Sequence, residues 1–467
     1  MKAGAGALPP RADLVHDVGS IDHPGNTMPK LLSLSCALAL ALSAPSALAQ
    51  EAQRAEVAEA AQRLQAKVVD WRRDIHQHPE LGNRETRTAA LVAGHLRALG
   101  LEPKTGIATT GVTAVLKGGK PGPRIALRAD MDALPVTEAT GLPFASKATA
   151  TFNGETVGVM HACGHDAHTS ILMGVAEALV AMRDELPGEV LFVFQPAEEG
   201  PPDGEEGGAE VMLAQGIFQD FKPDAVFGLH VFSTLNAGQL GVRSGPTMAA
   251  SDRFNIVVQG RQTHGSRPWG GVDPIVAAAD IIGTVQTVVS RRQDISRQPV
   301  VLSFGAIRGG VRFNIIPDRV EMIGTIRTFD EDMRKAVFAD LANVAEKVAA
   351  AHGATVVAKV PDIEGTPVTA NDPALTARMR PSLEAVAGAG NLVDMPLNMG
   401  AEDFSYYAQQ VPAVFFFVGA TPAGQDPAKA PSNHSPEFFL DESALDLGLR
   451  AMLQLSLDYL HGGTGAS

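Results

Sequence analysis

The chain has 467 residues, of which 45% are hydrophobic and 19% are charged, and its formal net charge is −14 at pH 7. This length allows two or more domains that each have a hydrophobic core, and the composition is that of a globular protein. The acidic charge argues against nucleic acid or an anionic membrane surface as a partner.

The first 49 residues predict an N-terminal extension and a cleaved secretory signal. Lys30 precedes the apolar run LLSLSCALALAL, and the small-residue site Ala47-Leu48-Ala49 follows it. A basic residue, a short apolar run and such a site form the pattern of a signal peptide, whereas the run is too short to span a bilayer comfortably. We therefore expect cleavage near Ala49, a secreted or periplasmic location, and a mature chain without membrane contact.

Cleavage at this site removes Cys36 and leaves Cys163 as the single cysteine of the mature chain. A secreted protein with one cysteine has no internal disulfide, so the remaining thiol needs another explanation. Burial as a small apolar residue, metal ligation and nucleophilic catalysis are the three explanations that this pattern leaves open.

The region that follows the signal predicts alternating helices and strands. Apolar residues recur at helical spacing from Glu51 to about Gln77, and Gly100 ends a second helix, TRTAALVAGHLRALG. Up to about Met248 the predicted strands are TAVLKG, RIALRAD, VLFVF and DAVFGLHV, and the predicted helices are HTSILMGVAEALVAM and GAEVMLAQG. Near-continuous apolar strands between helices predict an α/β domain with a doubly wound, mainly parallel sheet.

A different pattern begins after Met248 and predicts a second, inserted domain. The segments RFNIVVQG, VDPIVAAADIIGTVQTVV, VVLSFGAIRGG, RVEMIGTIRTF, MRKAVFADLANVAEKVAAAHG and ATVVAKV follow one another in the order β-α-β-β-α-β. This order is typical of a ferredoxin-like α+β domain. We therefore predict a discontinuous catalytic domain of residues 50–248 and 364–467, interrupted by an inserted domain of residues 249–363.

Several predicted strand ends and helix starts carry side chains that can bind metal. They are Cys163 and His165 in HACGHDAH, Glu198 and Glu199 after VLFVF, His230 at the end of DAVFGLH, and His434 in SNHSPE. The first two are separated by one residue, so their side chains point the same way in an extended chain. Because the carboxyl ends of parallel strands share one edge of a sheet, we expect the whole set to converge there.

Each of these residues also has a plainer interpretation. A histidine after a strand is more often a hydrogen-bonded loop residue than a ligand, and a pair of glutamates on a loop is usually solvated. However, no lysine or arginine occurs between Arg183 and Lys222 to neutralise Glu198 and Glu199. Cysteine, histidine and glutamate in one crevice are typical ligands of zinc or a similar divalent ion, so their joint convergence favours a metal site.

Eight motifs along the chain resemble, in order, those of a known family. They are DIHQHPELGNRETRTA, RADMDALPV, HACGHDAHTSILMG, QPAEEG, GLHV, NIIPDRVEMIGTIRTF, GAEDFSYYAQQVP and NHSPEFF, and they cover about residues 66–460. The chain thus resembles the amidohydrolase branch of the aminoacylase/carboxypeptidase metallopeptidases, which includes hippurate hydrolase and hydrolases of indole-acetyl-amino-acid conjugates. The resemblance implies two divalent metal ions, zinc or manganese with cobalt or nickel as other options, and an inserted lid domain that forms a homodimer.

The resemblance also implies roles for individual residues. It gives the metal ligands as Cys163, which would bridge the two ions, with His165, Glu199, His230 and His434. Glu198 matches the general base, and because adjacent strand residues face opposite ways, it can stay free while its neighbour binds metal.

Further residues match positions around the substrate and the ligands. His264 matches a lid histidine that reaches the site of the partner subunit and stabilises the developing oxyanion. Asn314 and Arg327 match positions near the substrate, and the arginine is a candidate clamp for a free α-carboxylate, although an ordinary strand ion pair is an equal alternative. Four residues are expected to orient the ligands through hydrogen bonds, namely Asp130, Asp132, His161 and Asp166. Asp132 also occupies the place where related branches carry a bridging aspartate.

The leading hypothesis is therefore a secreted, metal-dependent hydrolase of small N-acyl amino acids or short peptides, in which a metal-activated water attacks the amide and Glu198 is the general base. A carboxypeptidase or dipeptidase of the same family is the alternative. A cysteine amidase with Cys163 as nucleophile leaves the glutamates and the distant histidines unexplained. The remaining hypothesis is a non-catalytic periplasmic protein that binds metal or a solute. Glu198 argues against this hypothesis, because such a protein has no need of a free base beside the metals.

Overall fold

The computed structural model describes residues 33–462, with side chains from Gln50 onward except that of Glu364. The chain divides into two units, residues 1–53 and residues 54–467. The predicted signal peptide, with its cleavage site near Ala49, lies outside the residues whose side chains are described. Within the described residues, no helix is both long enough and apolar enough to span a membrane.

The α-helices of the described residues are α1 (Ser33–Gln77), α2 (Thr86–Ala98), α3 (His165–Ala181), α4 (Gly208–Ala214), α5 (Ile217–Phe221), α6 (Pro274–Thr287), α7 (Glu331–Ala351), α8 (Pro373–Ala387), α9 (Phe404–Ala408) and α10 (Ser443–Leu460). The strands are β1 (Lys104–Ile107), β2 (Gly111–Lys117), β3 (Lys120–Asp130), β4 (Thr149–Phe152), β5 (Glu155–Gly158), β6 (Pro187–Gln195), β7 (Ala225–Asn236), β8 (Leu240–Val242), β9 (Gly245–Met248), β10 (Ala250–Gln259), β11 (Thr263–His264), β12 (Val301–Gly309), β13 (Ile315–Ile316), β14 (Arg319–Thr328), β15 (Thr355–Thr366), β16 (Thr369–Asn371), β17 (Leu392–Asp394) and β18 (Ala413–Thr421).

The larger sheet has eight strands in the order β1-β2-β6-β3-β7-β18-β8-β17. Its centre, β6-β3-β7-β18, is parallel, and antiparallel strands occur towards both edges. Alternate residues of β6 face opposite cores. Phe192 and Phe194 pack with α3 and α10, whereas Leu191 and Val193 pack with α4, α5 and α9. Burial on both faces explains why these strands are nearly continuous apolar runs.

The second sheet is antiparallel, with the order β12-β14-β10-β15. One face packs on α6 and α7, with Phe254 and Met322 of the sheet against Ile281 and Val337 of the helices. Both the order of elements and the strand order are those of a ferredoxin-like domain. The predicted fold class is thus confirmed. The strands of this sheet run from residue 250 to residue 366, and a short ribbon of β11 and β13 was not predicted from the sequence.

Candidate metal centre

Side chains from four separate segments meet at the edge of the sheet where the parallel strands β3 and β6 end. The Cys163 sulfur lies 3.3 Å from the Nε2 atoms of both His230 and His434. His434 Nε2 lies 2.9 Å from Glu199 Oε1, without the angles of a hydrogen bond. Two groups of potential ligand atoms result, one with His165 and His230 and the other with Glu199 and His434. Cys163 belongs to both groups, which is the position that a bridging sulfur would occupy.

The turn before α3 brings Cys163 and His165 to the same side. Gly164 between them has φ 93°, in the left-handed region, and an added Cβ would lie 2.2 Å from Val231 Cγ2. Only glycine adopts this backbone at no steric cost. The two side chains therefore converge through a sharp turn, and not through an extended segment as was expected from the sequence.

The hydrogen bonds of two histidines leave one ring nitrogen of each facing the centre. His230 Nδ1 lies 2.7 Å from the Val231 carbonyl oxygen, which can only accept, so Nδ1 carries the proton. His165 Nδ1 lies 3.1 Å from Asp132 Oδ1, and its buried Nε2 has no hydrogen-bond partner among the described residues. A metal ligand needs this arrangement, in which one nitrogen is held by an acceptor and the other is free.

β7 continues beyond the predicted end of its strand. His230 was expected to close the strand, but β7 runs on to Asn236 and pairs with β18 on the way. The pairing of β7 with β3 stops at Gly228, so His230 projects from a part of β7 that β3 no longer covers. The ring of His230 therefore lies beside the sulfur of Cys163, although His230 is a residue within β7.

Negative charge at the centre exceeds the positive charge of the protein side chains around it. Burial raises the pKa of Cys163, and Glu199 and Glu198 raise it further. Burial lowers the pKa of His165, but Asp130 and Asp132 outweigh burial and raise it to about 10. Both shifts have the direction that a site short of cations produces. With the unpartnered His165 nitrogen and the donor set of sulfur, imidazole and carboxylate, they fit a site for divalent metal ions.

The two adjacent glutamates after β6 have different surroundings. Glu199 is near His434, and its backbone N–H donates to Asp132 Oδ2 over 3.0 Å. Glu198 Oε1 accepts a hydrogen bond of 3.3 Å from the Asp403 backbone N–H, and its carboxylate groups with those of Glu402 and Asp403. Burial raises the pKa of Glu198, and Glu402 and Glu199 add to the effect. Glu199 thus groups with Cys163 and His434, whereas Glu198 groups both with His165 and Glu199 and with the acids Glu402 and Asp403.

Two of the four predicted orienting residues contact the centre. Asp132 accepts from His165 with one oxygen and from the Glu199 backbone with the other, so both of its oxygens are engaged in orienting ligands. Asp130 accepts from His168 over 2.6 Å and from Arg128 over 2.6 Å, and its Oδ2 is 3.8 Å from His165 Nε2.

The side chains of the other two predicted orienting residues make no hydrogen bond to a potential metal ligand among the described residues. Asp166 binds Arg72 Nε at 2.7 Å and His76 Nδ1 at 2.9 Å, so it fastens α3 to α1. His161 is buried, and neither of its ring nitrogens has a hydrogen-bond partner in the described part of the chain. Burial lowers the pKa of His161 to about 4, which keeps the ring neutral.

Three residues of the centre were missed from the sequence. His168 donates to Asp130 through Nδ1 and accepts from the Val231 backbone N–H through Nε2, so it supports the strand that carries His230. Its signal was the spacing of three from His165, which places both on one helix face. Glu402 and Asp403 form a second pair of adjacent acids, and this resemblance to Glu198 and Glu199 could have identified them.

A cavity of about 650 Å³ opens over the centre. Its lining includes Cys163, Glu198, Glu199, His230, His434 and Arg327. Arg327 comes from β14 of the inserted domain, and its guanidinium makes no hydrogen bond or ion pair with any described residue. Burial lowers its pKa although Asp252 opposes the shift. A part-buried guanidinium without a partner in such a cavity can bind an anionic group of a ligand.

His264 and Asn314 do not reach this cavity within one chain. Both lie at the ribbon of β11 and β13, where the Gly265 backbone N–H donates to the Asn314 carbonyl over 2.8 Å. His264 Nδ1 accepts from the Ser266 backbone N–H over 3.1 Å, and the side chain is exposed. The structure thus brings Arg327 to the predicted metal ligands and leaves these two residues apart from them.

The sequence matches the model of "Peptidase family M20/M25/M40" over residues 126–458. It is 38% identical to "Thermostable carboxypeptidase 2" of Saccharolobus solfataricus over 84% of this chain and 96% of that protein. It is 37% identical to "IAA-amino acid hydrolase ILR1-like 4" of Arabidopsis thaliana over 84% of this chain and 86% of that protein.

The fold is similar to the crystal structure of the Bacillus subtilis YXEP protein, described as a dinuclear metal binding peptidase from the M20 family. The TM-score is 0.70 at 35% identity, and the match covers 86% of this chain and 99% of that chain. The chain therefore belongs to peptidase family M20/M25/M40, in its amidohydrolase branch, and is a hydrolase that acts on amide bonds.

Proposed function

We propose that the protein is a secreted, two-metal amidohydrolase that releases an amino acid from an N-acyl amino acid or a short peptide. One observation carries the proposal. Cys163 belongs to two groups of potential ligands, and the carboxylate of Glu198 lies beside them, 3.8 Å from His165 Nε2 and in a further group with Glu402 and Asp403. Such an arrangement would supply ligands for two metal ions that share Cys163 and, in Glu198, a carboxylate for the general base. Secretion rests on the signal pattern before Gln50.

The residues of the centre would hold two divalent ions, with Cys163 between them. Such ions lower the pKa of a bound water and polarise the carbonyl of the amide. Glu198 takes the proton of the attacking water and passes it to the leaving nitrogen. Its raised pKa, caused by burial and by Glu402, suits a carboxyl group that must hold a proton between these two steps. Asp132 keeps His165 and Glu199 in position for the ions.

The proposed substrate has a free carboxylate on the amino-acid side of the amide. Arg327 lines the cavity without a partner among the described residues, and a planar guanidinium binds a carboxylate through two parallel hydrogen bonds. The names of two relatives, a carboxypeptidase and an IAA-amino acid hydrolase, support an amino acid as one product. A peptide also ends in a free carboxylate, so the carboxypeptidase or dipeptidase alternative enters the test.

A panel of substrates tests the proposal. N-acetyl amino acids, N-benzoyl amino acids and dipeptides are incubated with the protein plus zinc or manganese, before and after chelation, and released amino acid is measured. We expect release from one class, loss on chelation and recovery when metal returns. Substrates whose α-carboxylate is amidated serve as matched controls and should react poorly. Release that survives complete metal removal would instead support Cys163 as a nucleophile, and metal binding without any release would support a binding protein.

We further propose that the protein is a homodimer in which His264 acts at the site of the partner subunit. This role would explain why an exposed ribbon carries a histidine away from the cavity of its own chain. Replacing His264 with alanine is expected to lower kcat by about 10²–10³-fold, with a smaller change in KM, because a donor to the oxyanion acts in the transition state. Steady-state kinetics check this.

A matched control is His352→Ala in the same domain. His352 follows α7 and pairs with Asp280 over 2.7 Å, away from the ribbon. This variant should keep the kcat of the unchanged protein. Equal kcat in both variants would remove His264 from the mechanism.

A further inference from the structure

We propose that Glu85 is a positioning residue for Glu198: its buried carboxyl group holds Ala197 in a left-handed conformation and so fixes the direction in which Glu198 leaves the strand. The inference rests on the proposed role of Glu198 as general base. Glu85 immediately precedes α2 and lies 112 residues before Ala197 in the sequence. Within the described chain, it makes no hydrogen bond to a potential metal ligand.

The backbone of Ala197 has the feature that needs explaining. Its φ is 51°, although alanine has a Cβ, and the residue is 2% exposed. A left-handed conformation costs free energy for any residue with a Cβ, so it persists only where the surroundings enforce it. Ala197 lies between the end of β6 at Gln195 and Glu198, and its carbonyl accepts from the Gly200 backbone N–H. Its conformation therefore sets the direction in which Glu198 leaves the strand.

Glu85 supplies the contact that enforces this conformation. The residue is fully buried, and one carboxyl oxygen accepts a hydrogen bond of 2.8 Å from the Ala197 backbone N–H. The other oxygen accepts from Thr110 Oγ1 over 2.5 Å, which fixes the carboxyl group from the opposite side. Without Glu85 the Ala197 N–H would be buried and unpaired, which costs free energy. A rearranged turn that exposes or pairs this N–H would then be more stable.

A second buried acid acts on the other side of Glu198. Asp132 Oδ2 accepts from the Glu199 backbone N–H, so the backbone is held at residues 197 and 199 by side chains of different elements. Asp132 also orients His165, whereas Glu85 has no contact of this kind. Loss of Glu85 should therefore displace the base while the metal ligands remain in place, and this separates its role from that of Asp132.

The alternative is that Glu85 serves folding alone, and a pair of variants separates the two roles. Glu85→Gln keeps a carbonyl oxygen for the Ala197 N–H, and its amide can donate to the Thr110 hydroxyl. Burial, with Asp132 nearby, raises the pKa of Glu85 to about 8, so glutamine resembles the neutral acid. Glu85→Leu has a similar size and no acceptor. We expect kcat within about threefold of the unchanged protein for glutamine and about 10–100-fold lower for leucine, with KM and bound metal little changed.

Two further variants sharpen the test. Asn371→Leu removes an equally buried polar side chain that pairs with the backbone of Phe415, so it is the control for lost stability without a displaced base. It should lower the melting temperature and leave kcat close to that of the unchanged protein. Adding Ala197→Gly to Glu85→Leu should restore part of the lost kcat, since glycine adopts the left-handed conformation without a Cβ penalty.

The crystal structure of Glu85→Leu gives a readout that does not depend on activity. We expect residue 197 to leave the left-handed region and the Glu198 carboxylate to move from its place beside Asp403. An unchanged turn at residue 197 would overturn the inference, as would equal losses of kcat in Glu85→Leu and Asn371→Leu. If the unchanged protein releases no amino acid from any substrate, the proposed function fails, and the conformation of residue 197 still decides the role of Glu85.

Discussion

Replacing Glu198 with glutamine is expected to lower kcat by about 10²–10⁴-fold while the bound metal stays in place. Glutamine has the size of glutamate and keeps an oxygen that can accept from the Asp403 backbone N–H, so the surroundings need not change. It cannot take a proton from the attacking water. The measurement is kcat on the preferred substrate together with the metal content of the same sample.

A matched control for this variant lies in the loop after the glutamate pair. Glu206→Gln changes the charge by the same amount at an exposed position. It should leave kcat unchanged. Loss of metal along with activity in Glu198→Gln would contradict a dedicated base and indicate that Glu198 is itself a ligand.

Replacing Arg128 with methionine is expected to destabilise the folded protein by about 3–5 kcal/mol, since removal of one partner leaves buried charges without compensation. The guanidinium is 1% exposed and lies 2.6 Å from Asp130, 2.9 Å from Glu402 and 2.8 Å from Asp403. Urea unfolding of the variant and the unchanged protein, followed by circular dichroism, measures the difference.

The loss of stability in Arg128→Met should also depend on pH. Burial raises the pKa of Asp403 to about 7 and raises that of Glu402, while Arg128 opposes both shifts. Without the arginine both folded-state values rise further above the unfolded values of about 4. A carboxyl group with a raised folded-state pKa costs stability as the pH rises from its unfolded-state pKa to its folded-state pKa. Asp403 stays protonated in both folded proteins up to about pH 7, so the stability deficit of the variant should grow as the pH rises above about 7, where Asp403 ionises only in the unchanged protein.

Arg334→Met in the inserted domain is the control for the effect of Arg128. Arg334 is also mostly buried, but its one buried acidic partner is Asp252, since Glu331 is partly exposed. Its replacement should cost less stability than that of Arg128. A loss for Arg128→Met no larger than for Arg334→Met, or one that does not change with pH, would contradict the buried network.

Much of the centre was predictable because its position follows from a general property of parallel sheets, whose strands end at one shared edge. The apolar runs before Glu198 and around His230 identify central strands, and parallel strands bring their carboxyl ends to one edge. Cys163 and His165 were predictable as neighbours in sequence, although the turn at Gly164 that unites them was not. His434 lies in a loop, so its place depended on the resemblance to the family.

The supports of the centre were harder to predict, because they are contacts between distant segments. Glu85 is 112 residues from Ala197, and Arg128 is 275 residues from Asp403. No local pattern signals such pairs, since an isolated acid or arginine is usually solvated. For Asp166, the role predicted at the centre is replaced by a contact between distant segments. Its position beside His165 suggested a role at the centre, yet its carboxylate turns to Arg72 and His76.

The most direct test of a metal centre bridged by Cys163 is the number of metal ions bound per chain, measured by elemental analysis after equilibration with zinc or manganese and removal of free metal. Two ions per chain are expected for the unchanged protein. Cys163→Ser should hold at most one ion under the same conditions, because a serine hydroxyl replaces the thiolate poorly as a ligand. Two tightly held ions in Cys163→Ser, or none in the unchanged protein, would contradict the centre described here.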